Sequence, residues 1–92
     1  MNRESATGLL RGLLEELAAV EHERWSHWQR YLHSRGDRMA DGSLRFPAEL
    51  VEQWERQIAT PYASLSEGEK QSDRDQVDKY LPIIAEALAN IE

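Results

Sequence analysis

The sequence predicts an all-α protein, a three-helix bundle with a long N-terminal helix, a short middle helix and a C-terminal helix kinked by proline. Two observations carry this prediction. Apolar residues recur three and four positions apart in three separate segments, and turn-forming residues stand between those segments. The 92 residues make one domain, and 40% hydrophobic with 30% charged residues suits a folded chain rather than a disordered one.

The first helix is predicted from about Glu4 to Ser34. Leu9 and Leu13 widen an apolar stripe that comprises Leu10, Leu14, Leu17, Trp25, Trp28 and Leu32. Glu21 interrupts this stripe. Its carboxylate either reaches the edge of the stripe and stays hydrated, or it faces a buried cation or a ligand.

The N-terminal part of this helix carries five leucines within nine residues: Leu9, Leu10, Leu13, Leu14 and Leu17. A short middle helix covers only about half of the first helix, and one further helix covers a single stripe. In a monomer these leucines would therefore form an unusually large exposed patch. We predict a homo-oligomer, most simply a two-fold dimer, with residues 1–19 as an N-terminal helical extension that makes the contact.

A loop rich in glycine, aspartate and arginine spans residues 34–46. Its Asp41-Gly42 pair is a turn signal and allows a short hairpin. Pro47 then fits the start of a second helix, which is predicted to extend to about Ala59 because proline loses nothing in a first helical turn. The apolar side of this helix is expected to bury Leu50, Val51, Trp54 and Ile58.

The C-terminal helix is predicted from Ser66 to about Asn90. Ser66 and Glu69 have the spacing of a capping box, in which each residue bonds the backbone of the other. Pro82 lies inside the predicted range and should kink the helix, since it removes one backbone hydrogen bond. The apolar stripe of this helix comprises Val77, Leu81, Ile84 and Leu88.

Two cations extend that stripe towards the helix start. Arg74 and Lys70 stand at the positions where apolar residues would continue the core-facing side. They are four residues apart, and a like-charge pair at this spacing is unfavourable unless an anion compensates it. We therefore interpret Lys70 and Arg74 as candidates for an anion-binding site.

Composition narrows the functional classes. The chain has no cysteine, so it forms no disulfide, and no apolar run is long enough for a signal peptide or a membrane span. These features favour a cytoplasmic protein without a membrane partner. A formal net charge of −6 disfavours nucleic acid as a partner.

The histidines do not form a zinc helix. His22 and His27 are five residues apart and point about 140° apart, whereas the zinc-binding motif needs a spacing of four. Glu23 and His27 are four apart, which suits a surface ion pair better than a metal. Because no glycine-rich phosphate loop and no partnered nucleophile are found, we predict a protein that is not an enzyme and has no cofactor or metal.

The tryptophans allow two interpretations. Trp25, Trp28 and Trp54 are most simply core residues, since a small bundle needs large apolar anchors. Beside Lys70 and Arg74, however, aromatic rings would also suit a flat anionic ligand, because rings stack on a base while cations bind phosphate. Both interpretations stay open at this point.

A family resemblance appears after the middle helix. Residues 61–74 match the pattern P-Y-x-x-L-x-E-x-E-K-x-x-D-R at each fixed position. This stretch resembles the RyR domain, the repeat first recognised in ryanodine receptors and also present in small bacterial and phage proteins. The resemblance covers about Val20 to Leu88, so residues 20–92 are interpreted as an RyR-like helical domain. The middle segment lacks the family's Tyr-Gly pair.

The resemblance implies a ligand-recognition module, with nucleotide binding in bacterial signalling and defence. Transferred to this sequence, the ligand-binding candidates are His22, Trp25, Tyr62, Lys70, Asp73 and Arg74. Asp73 is expected to orient a cation rather than to touch an anion. A small stand-alone copy is similar to phage proteins that could sequester a host defence signal. The alternative is a protein–protein interaction or regulatory module, in which Lys70 and Arg74 only pair with Glu21 or another acid.

Overall fold

The computed structural model describes residues 1–91 and is mostly helical, as the all-α prediction requires, with one small two-stranded sheet. Glu92, the last residue of the predicted RyR-like domain, lies outside the described residues. The elements in chain order are α1 (Arg3–Arg11), α2 (Leu14–Ser34), β1 (Asp37–Arg38), β2 (Leu44–Arg45), α3 (Ala48–Ala59), a 3₁₀ turn (Tyr62–Ser64), α4 (Glu67–Val77) and α5 (Leu81–Ala89).

The predicted long first helix is broken between α1 and α2. The amide of Gly12 donates to the carbonyl oxygens of both Gly8 and Leu9 at 3.1 Å, which tightens the last turn of α1. Glycine is a poor helix former, and here it marks the break. The single helix predicted over residues 4–34 is therefore corrected to two consecutive helices.

The hairpin that the Asp41-Gly42 turn allows is present between β1 and β2. Gly42 has a φ of 89°, a conformation that residues with a side chain rarely adopt. The Asp41 carboxylate accepts hydrogen bonds from the amide and the hydroxyl of Ser43, at 2.9 and 2.6 Å. These local bonds fix the turn, and α3 follows directly after Pro47.

The C-terminal helix is also two helices rather than one kinked helix. α4 ends at Val77, and the amide of Tyr80 donates to its carbonyl oxygen at 2.9 Å in a single tight turn. Pro82 then lies in the first turn of α5, where a missing amide hydrogen costs little. The capping box at the start of α4 is confirmed, with Ser66 and Glu69 bonding each other's backbone at 3.2 Å.

α5 returns along α1 and α2 in the antiparallel direction. The hydroxyl of Tyr80 donates a hydrogen bond to the carboxylate of Glu21. At the other end of α5, Ile91 lines one groove together with Leu9 and Leu13. These two observations place α5 beside α2 and the end of α1.

The helices do not close into a compact bundle. The described chain measures 57 × 33 × 19 Å, and its radius of gyration is 18.2 Å, against about 12 Å for a compact domain of this length. Leu13 is the one buried apolar residue among residues 1–91. The three-helix bundle is thus not confirmed, and Val51 and Ile58, expected to be buried on α3, are exposed because no described helix packs over them.

Candidate functional site

Three of the predicted site residues form one cluster at the side of α4, here called the cation cluster: Tyr62, Lys70 and Arg74. Pro61 and the 3₁₀ turn place the ring of Tyr62 against the helix. The ammonium nitrogen of Lys70 lies 5.8 Å from the centroid of this ring, within cation–π distance. The Nε atom of Arg74 donates to the Tyr62 hydroxyl at 3.1 Å. One aromatic side chain therefore organises both cations.

Glu67 supplies the anion that the two cations require. One carboxylate oxygen lies 3.2 Å from Nη1 of Arg74, and the other lies 3.8 Å from Nζ of Lys70. Glu67 is 79% exposed, whereas Lys70 is only 19% exposed. Two hydrogen bonds raise the pKa of the Arg74 guanidinium: the bond to Glu67 has the larger effect, and the bond to Tyr62 has the smaller one. One exposed carboxylate therefore compensates only part of the charge of the two cations.

A shallow groove of about 350 Å³ lies beside Arg74. Its lining residues are Tyr62, Gln71, Asp73, Arg74, Val77 and Asp78. Asp73 lines this groove and also the larger groove on the opposite side of α4. The predicted residues Tyr62, Asp73 and Arg74 therefore share one depression on the surface.

The other two predicted residues lie on α2. The rings of His22 and Trp25 are stacked, with centroids 6.0 Å apart and planes inclined by 21°. Trp25 is half-exposed rather than buried in a core. The described structure records no hydrogen bond, ion pair or ring contact between this pair and the cation cluster.

Glu21 pairs within its own helix and with α5. Arg24 and Tyr80 donate hydrogen bonds to its carboxylate. These bonds lower the pKa of Glu21 from 4.5 to about 2, and the bond from Arg24 has the larger effect. The same contacts raise the pKa of Arg24 and of Tyr80. Glu21 is therefore the partner of an exposed arginine, not of Lys70 or Arg74.

A larger open groove of about 640 Å³ lies between α2, α3 and α4. Trp28 and Trp54 meet edge to face on its wall, with ring centroids 6.4 Å apart. Across it, Gln57 donates to a carboxylate oxygen of Glu69 at 2.7 Å. Ser66 and Gln57 lower the pKa of Glu69. Nothing in the sequence signals the bond between Gln57 and Glu69, since twelve positions and a turn separate them.

Within residues 1–91, no group of three or more histidine, aspartate or glutamate side chains is arranged to hold a metal ion. None of the helices described there combines the length and the apolar character that crossing a bilayer requires.

Comparison with known proteins finds no matching family model, no matching curated protein and no matching solved structure. The RyR-like pattern at residues 61–74 is thus supported by its own residues alone. The candidate site rests on the contacts among Tyr62, Lys70, Arg74 and Glu67.

Proposed function

We propose that this chain is a non-enzymatic binding module for a small anionic, nucleotide-like ligand. The observation that carries the proposal is the convergence of Lys70 and Arg74 on the ring and the hydroxyl of Tyr62. Aromatic faces stack on bases, and guanidinium and ammonium groups bind phosphate oxygens. The resemblance of residues 61–74 to the RyR domain supports the same ligand class.

Glu67 holds the place that a ligand phosphate would take. Its carboxylate contacts both cations but is largely exposed, so a hydrated ion pair of this kind is readily exchanged for another anion. A phosphate group offers more acceptor oxygens and more negative charge than one carboxylate. Ligand binding would then release Glu67 to solvent while Lys70 and Arg74 keep their positions on Tyr62.

The proposed roles differ among the candidate residues. Arg74 would contact two phosphate oxygens through its fork of N–H donors, and Lys70 would add a second charge. Tyr62 would hold both cations and offer a free ring face to a base. Asp73, at the rim of the same groove, would orient Arg74 or accept from a ligand hydroxyl. His22 and Trp25 stay predicted ligand residues on the neighbouring helix.

Isothermal titration of the full chain with mono-, di- and cyclic nucleotides tests the proposal. We expect binding heat with at least one of them, and we expect Arg74→Ala to abolish that heat. Lys79→Ala is the matched control, because Lys79 carries the same charge, and within residues 1–91 its side chain hydrogen-bonds Gln76, at 3.4 Å, and no member of the cation cluster. Absence of heat with every nucleotide would overturn the proposed ligand class.

A second candidate function is an interaction module for another protein without a small-molecule ligand. The observation that favours it is that Lys70 and Arg74 both pair with Glu67 within the chain. In that case Arg74→Ala lowers the melting temperature and leaves every nucleotide titration unchanged. The same variant therefore separates the two functions.

The cellular role and the assembly are finer parts of the proposal. We propose that such a small binder sequesters a cytoplasmic signal, such as a host defence nucleotide in a phage setting, rather than relaying it. We further propose that the helices become a compact bundle in a homo-oligomer, since Leu10 and Leu14 remain exposed in a single chain. Light scattering measures the oligomeric state directly.

A further inference from the structure

The single chain exposes too much surface for a compact protein of its mass. Its accessible surface is 7377 Å². A folded monomer of 10.6 kDa is expected to expose about 5500 Å². The difference is about 1900 Å², and it agrees with the large radius of gyration of 18.2 Å. This excess is distributed over the chain, since Leu13 is the one buried apolar residue among residues 1–91.

Four half-exposed leucines lie on neighbouring helices. They are Leu10 and Leu14 at the junction of α1 and α2, and Leu81 and Leu88 on α5; together they are called the leucine face. Each of these side chains is between 43% and 57% exposed. Single exposed leucines are ordinary, but several on two adjacent helices form a patch of the kind that partners cover.

Helical geometry places leucines of both helices on the same side. Leu13 of the junction and Ala87 of α5 line the groove where the two helices meet. Leu14 and Leu88 each follow one position later, which turns them about 100° away from that groove. α5 runs antiparallel to α2. Equal rotations about the two helix axes therefore bring Leu14 and Leu88 to the same side of the plane that contains both axes. The two helices therefore present one continuous apolar side.

We propose that a second copy of this chain covers the leucine face, packing its own leucine face against it about a two-fold axis. A stable interface of standard size buries about 800 Å² per partner, which is less than half of the excess surface of one chain. Two antiparallel helix pairs, α2 with α5 from each copy, then form a four-helix core. An isologous contact is favoured because an apolar face without a charged centre is complementary to itself.

The charged neighbours of this face do not oppose the contact. Glu21, at the edge of the face, already accepts hydrogen bonds from Arg24 and Tyr80, so its charge is compensated within each copy. The cation cluster lies beside α4, and none of its residues belongs to the leucine face. Two such clusters would remain accessible in the dimer, and the dimer does not depend on the nature of their ligand.

Light scattering of the full chain over a range of concentrations tests the proposal. We expect a species of twice the 10.6 kDa chain mass at micromolar concentration. Leu14→Glu and Leu88→Glu should each weaken the dimer at least about tenfold, since a carboxylate would be buried in an apolar contact. Ile58→Glu is the matched control: Ile58 is 79% exposed on α3, outside the leucine face.

Cross-linking gives a second measurement that does not require a charged substitution. The chain has no cysteine, so Leu14→Cys, Leu88→Cys and Ile58→Cys each introduce a single thiol. A short bismaleimide should link copies through the first two thiols and not through the third. A 10.6 kDa species that persists at high micromolar concentration, or linkage only through position 58, would overturn the proposal. A different partner would then cover the face.

Discussion

The hydroxyl of Tyr80 donates a hydrogen bond to the carboxylate of Glu21, across 59 positions of sequence. Arg24 donates to the same carboxylate from one turn further along α2, with Nε at 3.0 Å. The bond fixes the start of α5 against the middle of α2. It thereby sets where both the cation cluster and the leucine face lie along the long helix.

This relationship predicts a pH-dependent stability. The pKa of Glu21 is lowered to about 2 in the folded chain, below its ordinary 4.5. A lowered carboxyl pKa stabilises the fold above about pH 4.5, and that contribution is lost as the pH falls towards 2. Glu21→Gln should therefore unfold more easily than the wild type at pH 7, with a difference that shrinks between pH 4.5 and 2. Urea unfolding at several pH values measures it.

The control for this prediction is Glu23→Gln, which removes a carboxylate from the same helix without removing a contact to α5. Its effect on the free energy of unfolding should be small at every pH. The difference in unfolding free energy between wild type and Glu21→Gln could instead stay constant from pH 7 to pH 2. The Glu21 contacts would then not be the cause of the pH-dependent stability.

Glu67→Gln is predicted to strengthen nucleotide binding. Glu67 pairs with Lys70 and Arg74, so in the proposed site it would compete with a ligand phosphate for both cations. Glutamine keeps the shape of the side chain without the charge. We expect the dissociation constant to fall about two- to fivefold, the range set by exchange of one exposed ion pair. Isothermal titration in parallel with Glu52→Gln, which changes the net charge equally on α3, isolates the effect. A weaker affinity in Glu67→Gln would mean that Glu67 orders the site.

Trp54→Ala is predicted to cost about 1–3 kcal/mol of unfolding free energy, the range expected for the loss of two aromatic pair contacts. Trp54 joins α3 to the hairpin and to α2, with its ring centroid 5.4 Å from Phe46 and 6.4 Å from Trp28. Removal of this partly buried indole loses both edge-to-face contacts. Trp25→Ala, which removes a half-exposed indole, should cost clearly less. Denaturant unfolding that ranks Trp25→Ala as the more damaging variant would contradict this packing.

Gly42→Ala and Gly68→Ala are predicted to change stability in opposite directions. Gly42 has a φ of 89° in the hairpin turn, so alanine there should destabilise the chain by about 1 kcal/mol or more. Gly68 lies in the first turn of α4, and a Cβ atom there would meet no other atom within 4 Å. Alanine at 68 should stabilise the helix by up to about 1 kcal/mol. Thermal unfolding of the two variants checks both signs.

The helix breaks show where periodicity misleads. An apolar stripe continues almost in phase across a single tight turn, so the breaks at Gly12 and at residues 78–80 left the predicted stripes intact. Pro82 pointed to the second break, but its position in the first turn of α5 became clear only from the backbone bonds. Gly12 was also visible in the sequence, but a glycine can lie within a helix as well as at its end, so it did not by itself predict the first break.

The sequence by itself determined the elements whose bonds join neighbouring residues. The capping box of Ser66 and Glu69, the Asp41-Gly42 turn and the start of α3 after Pro47 each depend on a few consecutive positions, so local chemistry suffices to predict them. The tertiary structure alone decided that Tyr80 bonds Glu21 and that Gln57 bonds Glu69. It also decided that Leu14 and Trp25 stay exposed, because burial depends on which helix packs over a face, and residues far apart in the chain set that arrangement.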